Sequence, residues 1–314
     1  AAAAAGRGRR GLLTTDFFWE EYELDHALAA APFPQISIWD GIVMGGGVGV
    51  SVHGNFRVAT ENTLFAMPET AIGLVPDVGG SWFLPRLPGG LGAYLALTGA
   101  RCNAHDLLYS GIATHAVPAD RLPELKQAMQ SLAKNGSVPA PADSGAVKII
   151  LDAFSVKMDG GSLEAHREEI DTCFKDKEAV EDIIDELQGN KSEWAIRTLK
   201  MLRNMSPTSL KVTHQMLKEG AKLKSLRDCL RMEFGVVQAC MRPGGDFYEG
   251  VRAVLVDKDR RPQWRPGTLE EVPPDAVAGF FDRSGLEDDS LLRGPPPRRG
   301  EGSGAATAGG IARL

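Results

Sequence analysis

The sequence has no surplus of basic residues: 35 Lys and Arg stand against 41 Asp and Glu, a formal net charge of −6. Nucleic-acid binding draws on Lys and Arg clustered along one face, so that class of partner is not expected. Phosphate-bearing small ligands need only local charge and stay open. Cysteine is sparse as well. The four residues Cys102, Cys173, Cys229 and Cys240 form no C-x-x-C pair and have no histidine at zinc-ligand spacing. That pattern argues against a metal site or a disulfide framework and for free thiols in a reducing compartment. Also missing is any apolar run near the ~20 residues that cross a bilayer, so no membrane partner is expected. What the chain does have is 314 residues with 43% hydrophobic content, enough for a substantial core and a smaller helical region beside it.

Composition divides the chain. Residues 1–16 begin with Ala, Gly and Arg alone until Leu12, too poor in large apolar groups to pack, and are expected to be disordered. The arginines fit an organellar leader, but the serines and amphipathic pattern of that class are lacking. Residues 284–314 pass through Pro295, Pro296 and Pro297 into a Gly/Ala/Ser run, a tail with the same expectation. Between these ends, residues 17–134 read as a core, 135–145 as a loop-forming linker rich in Pro and small polar residues, and 146–283 as a helical, charged region.

Within the core, Phe17, Phe18, Tyr22, Leu24 and Leu28 recur at near-helical spacing and predict a helix over 16–31, ended by Pro32 and Pro34. Residues 36–43 read as one short buried strand running into Gly45-Gly46-Gly47. A short helix over 48–53, strands over 56–59 and 64–67, and helices over 90–98, 103–109 and 121–132 follow. Strand, glycine turn and helix in that order predict α/β layers. In the helical region, Ser206 before Pro207 has the form of an N-cap with proline at the first position, and Leu210, Thr213, Met216 and Leu217 share a face.

Two segments could carry chemistry. Residues 44–49, Met-Gly-Gly-Gly-Val-Gly, follow a strand and open a helix. Backbone without side chains can approach a ligand there, with unpaired N–H groups directed outward, and a developing oxyanion would be stabilised. The spacing of Gly45, Gly47 and Gly49 does not meet the dinucleotide fingerprint; a purely structural tight turn is the plainer alternative. In residues 65–80, Glu69 and Asp77 are two carboxylates in a stretch otherwise nearly free of charge, with Pro68, Pro76 and glycines fixing the loops. Apolar neighbours push a carboxylate toward higher pKa, which suits general acid/base work. Helix capping by each residue explains them equally well at this stage.

Taken together, these segments are similar to the crotonase superfamily, in its 3-hydroxyisobutyryl-CoA hydrolase branch. The likeness rests on the 44–49 glycine turn, Phe-Arg-Val-Ala-Thr at 56–60, Phe-Ala-Met-Pro-Glu-Thr-Ala-Ile-Gly-Leu at 65–74 and Pro-Asp-Val-Gly-Gly at 76–80. Leu-Thr-Gly at 97–99, Gly-Ile-Ala-Thr-His at 111–115 and Ser-Pro-Thr-Ser-Leu-Lys at 206–211 extend it. Asp-Phe-Tyr-Glu-Gly-Val-Arg-Ala at 246–253, Val-Asp-Lys-Asp at 256–259 and Pro-Gln-Trp at 262–264 favour the hydrolase branch over enoyl-CoA hydratases. The resemblance implies an α/β fold of stacked ββα units, incomplete at the amino terminus, followed by a helical C-terminal region.

It also implies hydrolysis of 3-hydroxyisobutyryl-CoA, as in valine catabolism. Gly46 would supply an oxyanion N–H, Glu69 the catalytic carboxylate and Asp77 a second active-site carboxylate, and Glu21 would contact substrate. No metal or redox cofactor is implied, CoA being part of the acyl-CoA substrate, and a homo-oligomer stays open. The alternatives are enoyl-CoA hydratase or isomerase activity, and a catalytically impaired fold remnant with a binding role. The family's amino-terminal portion carries early strands, much of the CoA surface and a Gly-Gly-Asp loop with a second oxyanion donor. Only 15 residues precede the predicted 16–31 helix here, so the chain as written is expected to lack that loop, a loss worth ~10²–10³ in rate. The family points to the mitochondrion, whereas the terminal Ala312-Arg313-Leu314 has the form of a peroxisomal address.

Overall fold

The computed structural model describes residues 11–134, 144–284, 286, 291 and 292. The expectations for the first ten residues, for most of the 135–145 linker and for most of the tail therefore lie outside the described residues. Leu291 and Leu292, inside the expected tail, are buried, and the Leu292 N–H donates to Glu23 Oε1 at 2.9 Å.

In chain order the elements are α1 (Leu13–Ala29), β1 (Ile36–Trp39), β2 (Ile42–Met44), α2 (Gly46–Val52), β3 (Phe56–Ala59) and β4 (Leu64–Ala66). A 3₁₀ turn (Glu69–Ile72), α3 (Gly80–Phe83), α4 (Leu91–Thr98), α5 (Ala104–Ser110), β5 (His115–Ala116), α6 (Leu122–Lys134), α7 (Gly145–Phe154) and α8 (Ser162–Ala165) follow. The remainder is helical: α9 (Arg167–Phe174), α10 (Val180–Gly189), α11 (Glu193–Leu202), α12 (Pro207–Lys222), α13 (Leu226–Cys240), α14 (Asp246–Val251) and α15 (Pro274–Phe281). The chain divides into two compact units, neither of them one continuous stretch.

The strand-bearing unit comprises Asp25–Ala66 and Arg101–Ala165. Its strands form two parallel stacks, β1-β3-β5 and β2-β4. The first two passes of the chain each lay one strand in each stack, as in a ββα repeat, and β5 extends the first stack alone. The sequence predicts one strand over 36–43, but the structure breaks it at Asp40-Gly41. Gly41 has φ 138°, accessible only without a Cβ, and turns the chain between stacks. The corner is held by the next repeat: Thr60 Oγ1 and Asn62 Nδ2 donate to Asp40 Oδ1 at 2.8 and 3.0 Å, and the Leu64 N–H donates to Gly41 O at 2.9 Å. Phe56, Val58, Val117, Leu122, Leu125, Val147 and Leu151 form the core on the β1-β3-β5 side. The capping box predicted by no pattern closes α5: Asn103 accepts from the Asp106 N–H while Asp106 accepts from the Asn103 N–H.

Of the described residues, the helical unit takes those up to Leu24, Met67–Ala100 and those from His166 on. Ser206 caps α12 as expected, accepting from the Ser209 N–H at 2.9 Å with Pro207 behind it, and Leu210, Thr213, Met216 and Leu217 are all buried. Aromatic edges build its interior. Tyr94 meets Phe174 at 5.3 Å between ring centroids, and Trp19 on α1 meets Phe234 on α13 at 5.6 Å.

Candidate active site

Glu69 opens the 3₁₀ turn. Pro68 holds the approach, and Gly73, with φ 71°, closes the turn so that Leu74 N–H can return to Glu69 O at 3.0 Å. Other parts of the unit clamp this backbone: Thr70 Oγ1 donates to Leu97 O at 3.1 Å, and Ser206 N–H donates to Thr70 O at 3.1 Å. Helix α14 lies against it backbone to backbone, since a Cβ on Gly250 would fall 2.3 Å from Ile72 O and one on Gly73 would fall 2.3 Å from the Asp246 carbonyl carbon. The Glu69 side chain is buried, and its Oε2 has no hydrogen-bond partner. Burial first, and the Asp77 charge second, push its pKa well above the ordinary value.

Asp77 follows Pro76 and is buried too. Tyr22 Oη–H donates to Asp77 Oδ2 at 2.6 Å, from α1. Burial raises the Asp77 pKa to about 6, and the Tyr22 hydrogen bond opposes the rise. Glu21, the neighbour of Tyr22, is half-buried; burial and then Asp77 carry it to about 7. The structure therefore groups Glu21, Asp77 and Glu69 electrostatically. It removes the capping reading for both loop carboxylates: Glu69 lies inside its turn, Gly79 stands at the start of α3, and neither helix has a side-chain cap bond.

Directly after Asp77 the backbone enters the left-handed region twice, at Val78 (φ 52°) and Gly79 (φ 85°). For a β-branched residue such as Val78 that conformation costs ~1–3 kcal/mol and persists only where the surroundings enforce it. The enforcing residue is one that sequence reasoning passed over. Glu233 on α13 is fully buried and accepts from Gly79 N–H at 2.7 Å, Ser81 N–H at 2.8 Å and Ser81 Oγ–H at 2.6 Å. Burial pushes its pKa up, while those three donors, which bond the ionised carboxylate, pull it back down. A signal was present: Glu233 is a lone carboxylate in the apolar run 232–237. Tyr22 reads in sequence only as a helix-face aromatic.

Gly46 belongs to the strand-bearing unit. Gly45 before it adopts φ 53° and ψ −128°, a combination open essentially to glycine alone, and Gly46 begins α2. The first intrahelical donors are Val48 N–H and Gly49 N–H, both to Gly45 O. The Gly46 and Gly47 N–H groups precede them, where a helix offers its own donors no acceptor. A Cβ on Gly47 would meet nothing within 4 Å. Among the described residues no group of three or more His, Cys, Asp or Glu could hold a metal ion, and no helix is long and apolar enough to cross a membrane.

The carboxyl cluster predicts a pH dependence. Groups whose folded pKa exceeds the ordinary 3.8 or 4.5 bind protons more tightly in the folded state, so their contribution is complete below those values and is lost as pH rises through about 6 and 7. Denaturant unfolding should show stability falling from pH 5 to pH 8 by more than the ~1.4 kcal/mol equivalent to one pKa unit. A flat or rising profile would contradict this description of the site.

A family model described as enoyl-CoA hydratase/isomerase matches residues 2–281. The chain is 48% identical over 295 residues to the mitochondrial 3-hydroxyisobutyryl-CoA hydrolase of Gallus gallus, covering 92% of this chain and 74% of that protein. The Homo sapiens protein of the same name is 46% identical over 276 residues, 87% of this chain and 69% of its own length. Among solved structures, a carnitinyl-CoA dehydratase from Mycobacterium thermoresistibile superposes with TM-score 0.78 at 38% identity, covering 91% of this chain and 79% of that one. An enoyl-CoA hydratase from Rhodobacter sphaeroides gives 0.76 at 35% identity, over 89% and 78%.

Proposed function

Because this chain belongs to the enoyl-CoA hydratase/isomerase family of the crotonase superfamily, we propose that it is a thioester hydrolase cleaving 3-hydroxyisobutyryl-CoA to 3-hydroxyisobutyrate and CoA. The carrying observation is a buried carboxyl, Glu69, with an unpartnered oxygen and a second carboxyl, Asp77, near enough to shift its pKa. Curated relatives at 45–48% identity carry the hydrolase name and support the choice within the family. CoA enters only as part of the substrate.

In this reading the raised basicity of Glu69 lets its carboxylate take a proton from the attacking water as the water oxygen bonds to the thioester carbon. Asp77 and Glu69 share one electrostatic environment, so ionising the first opposes ionising the second and the pair titrates jointly. The thioester oxygen becomes an oxyanion, a charge that an unpaired backbone N–H stabilises. Collapse breaks the C–S bond, and the proton held by Glu69 passes to the departing thiolate. Alternatively, the Glu69 carboxylate attacks the thioester carbon and expels CoA thiolate, which takes a proton from solvent, and water then cleaves the mixed anhydride to release the acid and return Glu69. Asp77, oriented by Tyr22, holds the water or the substrate β-hydroxyl, and Glu21 contacts substrate nearby. The mitochondrial names of the relatives support a mitochondrial setting; the terminal Ala312-Arg313-Leu314 lies outside the described residues.

A β-hydroxyl that partners Asp77 predicts selectivity, because a buried polar group left without its partner penalises the analogue lacking it. Free CoA release should show kcat/KM for 3-hydroxyisobutyryl-CoA at least ~10-fold above that for isobutyryl-CoA, the ~1.4 kcal/mol of one buried hydrogen bond. Equal values would remove Asp77 from substrate recognition. Faster hydration of crotonyl-CoA than hydrolysis of either thioester would instead favour the hydratase reading.

A further inference from the structure

Asp77 and the two residues after it form a turn that its own sequence does not favour. Val78 is buried and left-handed, Gly79 is left-handed after it, and Gly80 N–H returns to Asp77 O at 2.8 Å to close the turn. Three donors from the far side of that turn, Gly79 N–H, Ser81 N–H and Ser81 Oγ–H, converge on the single carboxylate of Glu233, 154 residues away along the chain. Both carboxylate oxygens are engaged. Tyr22 in turn fixes the Asp77 side chain, and the rings of Tyr22 and Trp19 also pack on Phe234, next to Glu233.

We propose that Glu233 is a positioning residue that holds the strained Val78–Gly79 turn in place and thereby fixes Asp77 against Tyr22 within the carboxyl cluster. The proposal rests on the hydrolase reading for its assay. Physically, α13 supplies what the loop cannot supply itself. A β-branched residue released from an unfavourable φ relaxes toward ordinary backbone, and the relaxation begins one bond from Asp77. Misplacement of a catalytic group by about 1 Å costs up to ~10²-fold in rate. Glutamine cannot replace Glu233, because its amide nitrogen would present a donor to either Gly79 N–H or the Ser81 pair.

The test measures CoA release by Glu233→Gln, Ser81→Ala and the double variant Glu233→Gln/Val78→Gly in the intact enzyme, with folding checked by circular dichroism. Glu233→Gln should lower kcat by ~10–10²-fold with KM within about twofold. Ser81→Ala, which removes one of the three hydrogen bonds and keeps the Cβ, should give a smaller fall of the same kind. Glycine at 78 accepts a left-handed φ without strain, so the double variant should regain part of the kcat lost by Glu233→Gln alone. Wild-type kcat in Glu233→Gln overturns the proposal. If Glu233→Gln does not fold, wild-type kcat in Ser81→Ala overturns it equally. A double variant slower than Glu233→Gln shows that strain at Val78 is not what Glu233 holds, and overturns it as well. The wild-type chain in the same assay separates the two readings: if it releases no CoA the hydrolase assignment fails, whereas an active wild type beside an equally active Glu233→Gln sinks only the positioning role.

Discussion

Glu69→Gln is expected to lower kcat for CoA release by ~10²–10⁴-fold, the range of general acid–base catalysis, with little change in KM. The amide keeps the shape of the side chain but cannot take the water proton. It should cost the fold nothing. Burial already favours the neutral carboxyl over the carboxylate at this position, and glutamine imitates the neutral form. The sign follows from linkage: a folded pKa raised above 4.5 withdraws stability as pH rises, so the variant should match wild type at pH 4 and exceed it at pH 8. Lost activity with gained alkaline stability is the signature of a catalytic group held against its solvation preference. A variant retaining more than about a tenth of wild-type kcat would exclude Glu69 as the proton acceptor.

Gly250→Ala should damage both stability and rate without touching a polar side chain. The added Cβ would stand 2.3 Å from Ile72 O and 2.4 Å from the Ile72 C and Cα atoms, all of them backbone. No rotamer change relieves that clash, so α14 or the Glu69 turn must move. Overpacking of this kind costs ~1–3 kcal/mol, or a fall in Tm of roughly 2–12 °C at the 2–4 °C per kcal/mol typical of chains of 150–250 residues. The turn that moves is the one carrying Glu69, so kcat should fall with it, by up to ~10² for an ångström of displacement. Thermal melts and CoA release check both. Unchanged Tm and kcat together would mean that α14 does not position the turn. The same contact gives a physical meaning to the Asp246-Phe247-Tyr248-Glu249-Gly250 segment that favours the hydrolase branch in sequence: it forms the helix on which the Glu69 turn is seated, joined to α12 by Ser206 Oγ–H donating to Asp246 Oδ2 at 2.6 Å.

Much of the strand-bearing unit was legible because its signals are local. Gly45-Gly46-Gly47 after a strand announces a turn that only glycine can make, and the observed φ 53° and ψ −128° at Gly45 is that turn. The spacing of Phe18, Tyr22 and their neighbours encodes α1, and Ser206-Pro207 encodes the start of α12. The 36–43 strand was misread for an equally local reason. Its apolar residues continue across Asp40-Gly41, and only the partner corner at Thr60–Thr63 shows that the chain changes stacks there.

Where turns, caps and apolar faces fall, and which carboxylates lie among apolar residues, can be read along the chain, because each of these is set within a few positions of backbone. What those carboxylates are depends on the folded chain. Whether Asp77 caps a helix or accepts a hydrogen bond from Tyr22 depends on a partner 55 residues away, and the geometry of its turn on Glu233, 154 residues from Gly79. Desolvation is likewise set by whatever packs over a group, so the raised pKa of Glu69 has its cause in burial by distant segments rather than in Pro68 or Thr70 beside it.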